Sequence, residues 1–216
     1  MNILPIADPA AIEAASMAII DQEAGDHPWT GPAWTVVRRL IHTSADFDML
    51  HLVRMHSQAI EAGVALLRQG APIITDTQMC RAGVPARRLS RFGNTVHCLM
   101  DDADVAELVR QTGGTRARAA VTVACRRFHG LTGAVMAVGN APTALLALQE
   151  AMDRGEAAPG LVVAMPVGFV NAAESKALVM ARNTAPWIAI AGRKGGSALA
   201  AATVNALLEL AFAESC

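Results

Sequence analysis

Charge is scarce in this chain. Asp, Glu, Lys and Arg make up 17% of its 216 residues and leave a formal net charge of −1. Proteins that hold nucleic acid through its phosphates need a clear basic excess, so general nucleic-acid binding is not expected. Long apolar runs are missing too. Hydrophobic residues reach 53%, yet charges interrupt them before any run attains the ~20 residues that span a bilayer. The N-terminal segment has Asp8 and Glu13 and no basic stretch. It does not read as a signal peptide, and the expected compartment is the cytoplasm. The four cysteines, Cys80, Cys98, Cys125 and Cys216, are widely spaced. With no C-x-x-C pair and no Cys/His cluster of zinc spacing, reduced structural thiols are expected and a metal site is not.

Several catalytic signatures are absent as well. No G-x-G-x-x-G occurs. Gly192-Arg193-Lys194-Gly195-Gly196-Ser197 resembles a phosphate-binding loop but lacks the Gly-Lys-Ser/Thr ending that sets a lysine on phosphates. Ser16, Ser44 and Ser197 sit in no G-x-S-x-G elbow, and no close carboxylate pair stands out. These absences argue against dinucleotide redox chemistry, nucleotide hydrolysis and serine hydrolysis.

What is present is a recurring junction. An apolar run at 134–138 passes through Gly139-Asn140-Ala141-Pro142 into a helix-like run beginning at Thr143. Glycine frees the backbone there, and proline suits a first helical turn. The design returns after residues 161–165, through Pro166-Val167-Gly168-Phe169-Val170-Asn171. It returns again after 187–191, through the Gly192–Ser197 loop. Helix starts carry unpaired N–H groups that attract anions, and strand ends of open α/β sheets are where such folds bind ligands.

The wider pattern predicts helices over 9–24, 33–42, 46–69 and 115–128. It predicts strands at 72–75, 94–100, 133–138, 161–165 and 187–191. Five short strands separated by helices indicate a mainly parallel five-stranded sheet covered on both faces. No repeat or linker divides the chain, so residues 1–216 read as one domain.

Among six histidines, His97 lies in an apolar strand and reads as a core residue. His51, His56 and His129 read as helix-borne surface residues, and His27 as a loop residue. His42 stands apart. It ends a helix three residues after Arg39, on a shared face, and Thr43 and Ser44 follow with hydroxyls able to orient an imidazole. An imidazole transfers protons near neutral pH.

Five segments then resemble the precorrin-8X methylmutase family, including its cobalt-precorrin-8 counterpart. They are Arg38-Arg39-Leu40-Ile41-His42-Thr43, Gly70-Ala71-Pro72-Ile73-Ile74-Thr75-Asp76, Gly139-Asn140-Ala141-Pro142-Thr143-Ala144-Leu145, the run from Met165 to Lys176, and Gly192-Arg193-Lys194-Gly195-Gly196-Ser197-Ala198. They follow in order across nearly the whole chain. The resemblance implies a flavodoxin-like three-layer α/β/α sandwich and a homodimer. It implies an isomerase of cobalamin biosynthesis that moves a methyl group from C-11 to C-12 of the corrinoid ring, with no cofactor. It assigns His42 as proton donor or acceptor and Ser16 and Arg39 as substrate contacts.

A carboxylate-rich tetrapyrrole needs an apolar floor and anion sites at its rim. The candidate substrate-binding set is Ser16, Arg39, Thr43, Asp76, Arg116, Asn140, Thr143, Lys176, Arg193, Gly195, Gly196 and Ser197. The implied partners are the tetrapyrrole substrate, a second copy of the chain and, for product hand-over, the next biosynthetic enzyme. The apolar surface of helices at 46–69 and 197–211 also points to a dimer. Family members commonly carry a tyrosine near the N-terminus, whereas this chain has none. The residues following His42, Thr-Ser-Ala-Asp-Phe-Asp, lean toward the cobalt-dependent branch. A non-catalytic corrinoid carrier is the competing reading, and an unrelated enzyme on the same fold a third. Retention of His42 and the five segments favour the methylmutase.

Overall fold

The computed structural model describes residues 8–213. In chain order the elements are α1 (Pro9–Glu23), α2 (Gly31–Ser44), α3 (Met49–Leu52), β1 (Val53–Met55), α4 (Ala59–Arg68), β2 (Ile73–Thr75), α5 (Gln78–Ala82) and α6 (Ala86–Leu89). There follow β3 (Val96–Cys98), α7 (Ala103–Thr112), α8 (Arg116–Arg127), β4 (Val135–Val138), α9 (Pro142–Asp153), β5 (Leu161–Ala164), α10 (Ala172–Arg182), β6 (Trp187–Ile190) and α11 (Ser197–Ala213).

The sheet order is β1-β6-β5-β4-β2-β3. Five strands run parallel, and β1 joins the edge antiparallel to β6. The parallel set has the flavodoxin-like order, whose switch point lies between β2 and β4. Side chains alternate between two cores. Ile73, Val135, Ala137 and Val163 face α1, α2, α4 and α11. Ile74, Met136, Val138 and Val162 face α7 to α10. Burial on both faces explains why these strands read as continuous apolar runs.

The expectation of five strands is corrected to six, and the helix expected over 46–69 does not exist as one element. It divides into α3, β1 and α4. Val53-Arg54-Met55 pairs with Ile190, Ala189 and Ile188. The reason is tertiary: β6 offers an open edge, and a three-residue strand has too little sequence to announce a period of two. His56 consequently sits between β1 and α4 rather than on a helix, and His129 lies in a single 3-10 turn at 129–131. His97 is not a core residue. It is half-buried on β3, the far edge strand, with its Nε2 2.9 Å from Thr95 Oγ1 and its ring against Phe128.

The apolar face of α11 finds its cover within the chain. Leu199, Val204, Leu207 and Leu208 pack against α2 and α4, so this helix does not call for a partner. Among the described residues no helix is long and apolar enough to cross a membrane. Cys80, Cys98 and Cys125 are unpaired, while Cys216 lies outside the described residues.

Candidate active site

Helices α1 and α2 bring together two residues 26 positions apart. Ser16 Oγ lies 2.9 Å from His42 Nδ1. Asp8 caps α1 by accepting from the N–H groups of Ala10 and Ala11. Residue Ala45, in the left-handed region at φ 51°, stops α2 just past His42. Both members of the pair are half-buried, and both line a cavity of about 570 Å³. Ile12, Ile19, Ile41 and Phe47 supply its apolar walls. An imidazole steadied at Nδ1 keeps its ring plane fixed, and no hydrogen bond to its Nε2 is formed among the described residues. That leaves one nitrogen to exchange a proton with a ligand in the cavity.

Arg39 is not part of this cavity. Its guanidinium bridges Glu13 at 2.5 Å and Glu209 at 2.7 Å, so it joins α2 to α1 and α11. It lines a separate groove of about 260 Å³ with both carboxylates. Thr43 is exposed beside His42 and donates back to the Arg39 carbonyl at 2.8 Å.

The remaining candidates lie elsewhere on the fold. Asp76 ends β2 at the switch point and is 3% exposed. Its carboxylate accepts from the N–H groups of Gly139, Asn140 and Ala141 at 2.8, 2.8 and 2.7 Å. Burial raises its pKa above the usual carboxylate value, and the three donors act against that rise. The anion site expected at this helix start is thus real, but an internal carboxylate fills it. Gly139 is required for the fit, since a Cβ there would lie 2.6 Å from Ser197 Cα. Thr143 accepts from Thr115 Oγ1 at 3.0 Å, next to Arg116 at the start of α8. Both belong to the layer across the sheet from His42.

In the β6–α11 loop, Gly195 presses onto the end of β5, where a Cβ would meet Met165 O at 2.3 Å. The following Ser197 Oγ sits 2.7 Å from Thr77 Oγ1. Arg193 stacks over the Phe169 ring at 5.5 Å. Phe169 and Val170 are 84% and 77% exposed in the β5–α10 loop. Sequence reasoning missed Lys194, whose ammonium reaches Asp46 and Asp48 just beyond His42.

Lys176 is fully buried on α10, and its ammonium donates to the Lys194 carbonyl at 2.7 Å. Burial pushes its pKa down from 10.5 to about 8. The unfolded chain therefore holds a proton that the folded chain has released between those values. Stability should rise with pH through that window, and the full cost of burying the charge is present below it. A shift of this size corresponds to about 3 kcal/mol. Denaturant titrations of wild type and Lys176→Met from about pH 7 to about pH 10.5 should show wild type gaining on the variant by up to that amount. A constant difference would contradict it.

A flavodoxin-like sheet with a hydroxyl–imidazole pair at an apolar cavity defines a class: α/β proteins able to offer one ionisable group to a largely apolar ligand. Known proteins give the class a family. The family model described as precorrin-8X methylmutase matches residues 11–210. The chain is 40% identical to the cobalt-precorrin-8 methylmutase of Leptospira interrogans over 204 residues, covering 92% of each chain. It is 41% identical to the precorrin-8X methylmutase of Pseudomonas aeruginosa over 203 residues, covering 94% of this chain and 96% of that one. A crystal structure of the precorrin-8x methyl mutase from Thermus thermophilus superposes with a TM-score of 0.89 at 46% identity, covering 95% of this chain and 97% of that one. The chain belongs to the precorrin-8X methylmutase family, isomerases of cobalamin biosynthesis.

Proposed function

We propose that this protein moves the methyl group from C-11 to C-12 of precorrin-8X or its cobalt form, giving hydrogenobyrinate or cobyrinate, with His42 as the proton-handling group. The observation that carries the assignment of the site is the Ser16–His42 contact at 2.9 Å within an apolar cavity. The reaction is an isomerisation, so a proton lent to the conjugated ring by the imidazole returns to it as the methyl group settles. Ser16 holds the ring of His42 in the orientation this exchange needs. The cavity of about 570 Å³ is small for a whole corrinoid with its side chains. The reacting edge enters it, and the carboxylate-bearing periphery stays outside.

Thr43 and Arg193 are the rim contacts the geometry favours, being polar and accessible. Arg39, Asp76 and Lys176 already have internal partners. In this proposal they shape the site, and Arg116, Asn140, Thr143, Gly195, Gly196 and Ser197 offer secondary contacts along the sheet edge. The family match supports the enzyme over a corrinoid carrier.

The test is turnover of precorrin-8X and of cobalt-precorrin-8, each followed by absorbance with purified protein. Conversion of the cobalt form in preference would agree with the residues after His42. Conversion of neither would overturn the proposal.

The homodimer is proposed with it. Its support is the set of exposed apolar side chains, Ile12 and Ile19 on α1 and Val167, Phe169 and Val170 in the β5–α10 loop. Sedimentation at micromolar concentration should give twice the chain mass of 22.6 kDa. A single species at the chain mass would reject it.

A further inference from the structure

Lys194 is held at both ends. Beneath it, the buried Lys176 ammonium donates to its backbone carbonyl at 2.7 Å. Above it, its own ammonium contacts Asp46 at 2.5 Å and Asp48 at 2.6 Å. The Asp46 carboxylate is preset, because it also accepts from the Asp48 N–H at 2.9 Å. The loop carrying Lys194 has little freedom. Gly196 N–H donates to Met165 O at 2.9 Å, and Gly168 N–H donates to Arg193 O at 3.2 Å. The turn it reaches is closed by Ala45 N–H donating to Ile41 O at 2.7 Å and Leu50 N–H donating to Phe47 O at 3.0 Å, while the N–H groups of Asp46 and Phe47 donate to no backbone carbonyl among the described residues. Ala45 sits at φ 51°, a conformation that a residue with a Cβ rarely adopts.

We propose that Lys176 and Lys194 form a tether from the buried face of α10 to the α2–α3 turn, and that this tether positions the Ala45–Phe47 wall of the His42 cavity. Both lysines are positioning residues for the methyl shift. The inference rests on His42 as the reacting group. Ala45 and Phe47 line the same cavity as Ser16 and His42, so a turn that drifts widens the space where the reacting edge is seated. Half-exposed ion pairs add little to global stability. The tether therefore acts on placement, where a misfit of about 1 Å can cost up to about a hundredfold in rate.

The experiment combines hydrogen exchange of the ligand-free protein with steady-state kinetics, for Lys194→Ala, Lys194→Arg and Lys176→Met. Lys194→Ala should speed amide exchange across residues 43–48 and leave α10 unchanged. Lys176→Met should speed exchange in both 192–197 and 43–48. For both variants kcat should fall about tenfold or more while KM stays within about threefold, because ring area and carboxylates dominate binding. Lys194→Arg, which keeps the charge and reach, should recover most of the loss.

Unchanged exchange at 43–48 in Lys194→Ala would overturn the tether, whatever the rate. Faster exchange with normal kcat would overturn its role in positioning. Should Lys176→Met fail to fold, the Lys194 variants decide alone. Full activity of His42→Ala would defeat the assignment of the reacting group instead, and the exchange result does not depend on it.

Discussion

His42→Ala should bind the corrinoid product within a few-fold of wild type, while the methyl shift slows by about 10²–10⁴-fold, the usual loss when a general acid is removed. The imidazole stands at an apolar cavity with its Nδ1 engaged by Ser16. The migrating group carries electrons through a conjugated ring, so a proton placed on that ring lowers the barrier only while the shift proceeds. That is differential stabilisation of the transition state, and it appears in kcat rather than in affinity. His42→Asn separates chemistry from packing. It fills much of the same space and can still meet Ser16, but an amide transfers no proton near neutral pH, so its rate should be nearly as low. Ser16→Ala removes only the orienting hydrogen bond, a contribution of about 0.5–1.5 kcal/mol, and should slow turnover by about tenfold at most. Single-turnover absorbance with each variant, alongside titration with product, gives both quantities. Normal turnover in either His42 variant would remove the residue from the mechanism. Loss of binding and folding together would make it structural.

The parallel sheet was legible because its strands are buried on both faces. Ile73-Ile74, the run at Val135–Val138 and the run at Leu161–Ala164 are short, apolar and bounded by glycine or proline. Strand β1 was not legible. Val53-Arg54-Met55 continues the apolar spacing of the helix before it, and only the open edge of β6 makes it extended. The Ser16–His42 pair was half legible. His42 drew notice through its neighbours, but nothing local links it to Ser16, since their contact depends on how α1 crosses α2. The resemblance to a family pointed to Ser16 only as a substrate contact, and spacing pointed to the Thr43 and Ser44 hydroxyls, which instead donate to the Arg39 and Leu40 carbonyls. Arg39 illustrates the opposite error of scale. Three residues from His42 is close along a helix, yet Glu13 and Glu209 draw its guanidinium to a different groove. The apolar face of α11 suggested a partner chain for a similar reason. A sequence displays an unsatisfied face without saying that α2 and α4 satisfy it within the same chain.

Asp76 carries the second large effect, and it is one of stability. Both halves of the feature were visible separately, an aspartate closing a strand and a glycine-rich helix start that wants an anion. Their meeting across 63 to 65 positions was not. Helix α9 begins with Ala141 at its N-cap, a residue with no side-chain acceptor, and Pro142 follows without an N–H. The Asp76 carboxylate accepts from the three N–H groups that lead into the helix and fixes the β4–α9 loop against β2 at the switch point. Removing it in Asp76→Ala leaves three donors without their acceptor, the Gly139 N–H buried and those of Asn140 and Ala141 part-buried. Each orphaned donor costs about 1–3 kcal/mol, and some water will enter the space left, so a loss of about 3–5 kcal/mol is expected. In a domain of this size that lowers Tm by roughly 6–20 °C. Asp76→Asn keeps the shape and one good acceptor but sets an amide N–H against the loop's donors, and should lose about half as much. Urea titration followed by far-UV circular dichroism measures both. The midpoint should fall with an unchanged slope, since the loop is pinned only in the folded state. A variant with wild-type stability but weakened product binding would instead make Asp76 a substrate contact.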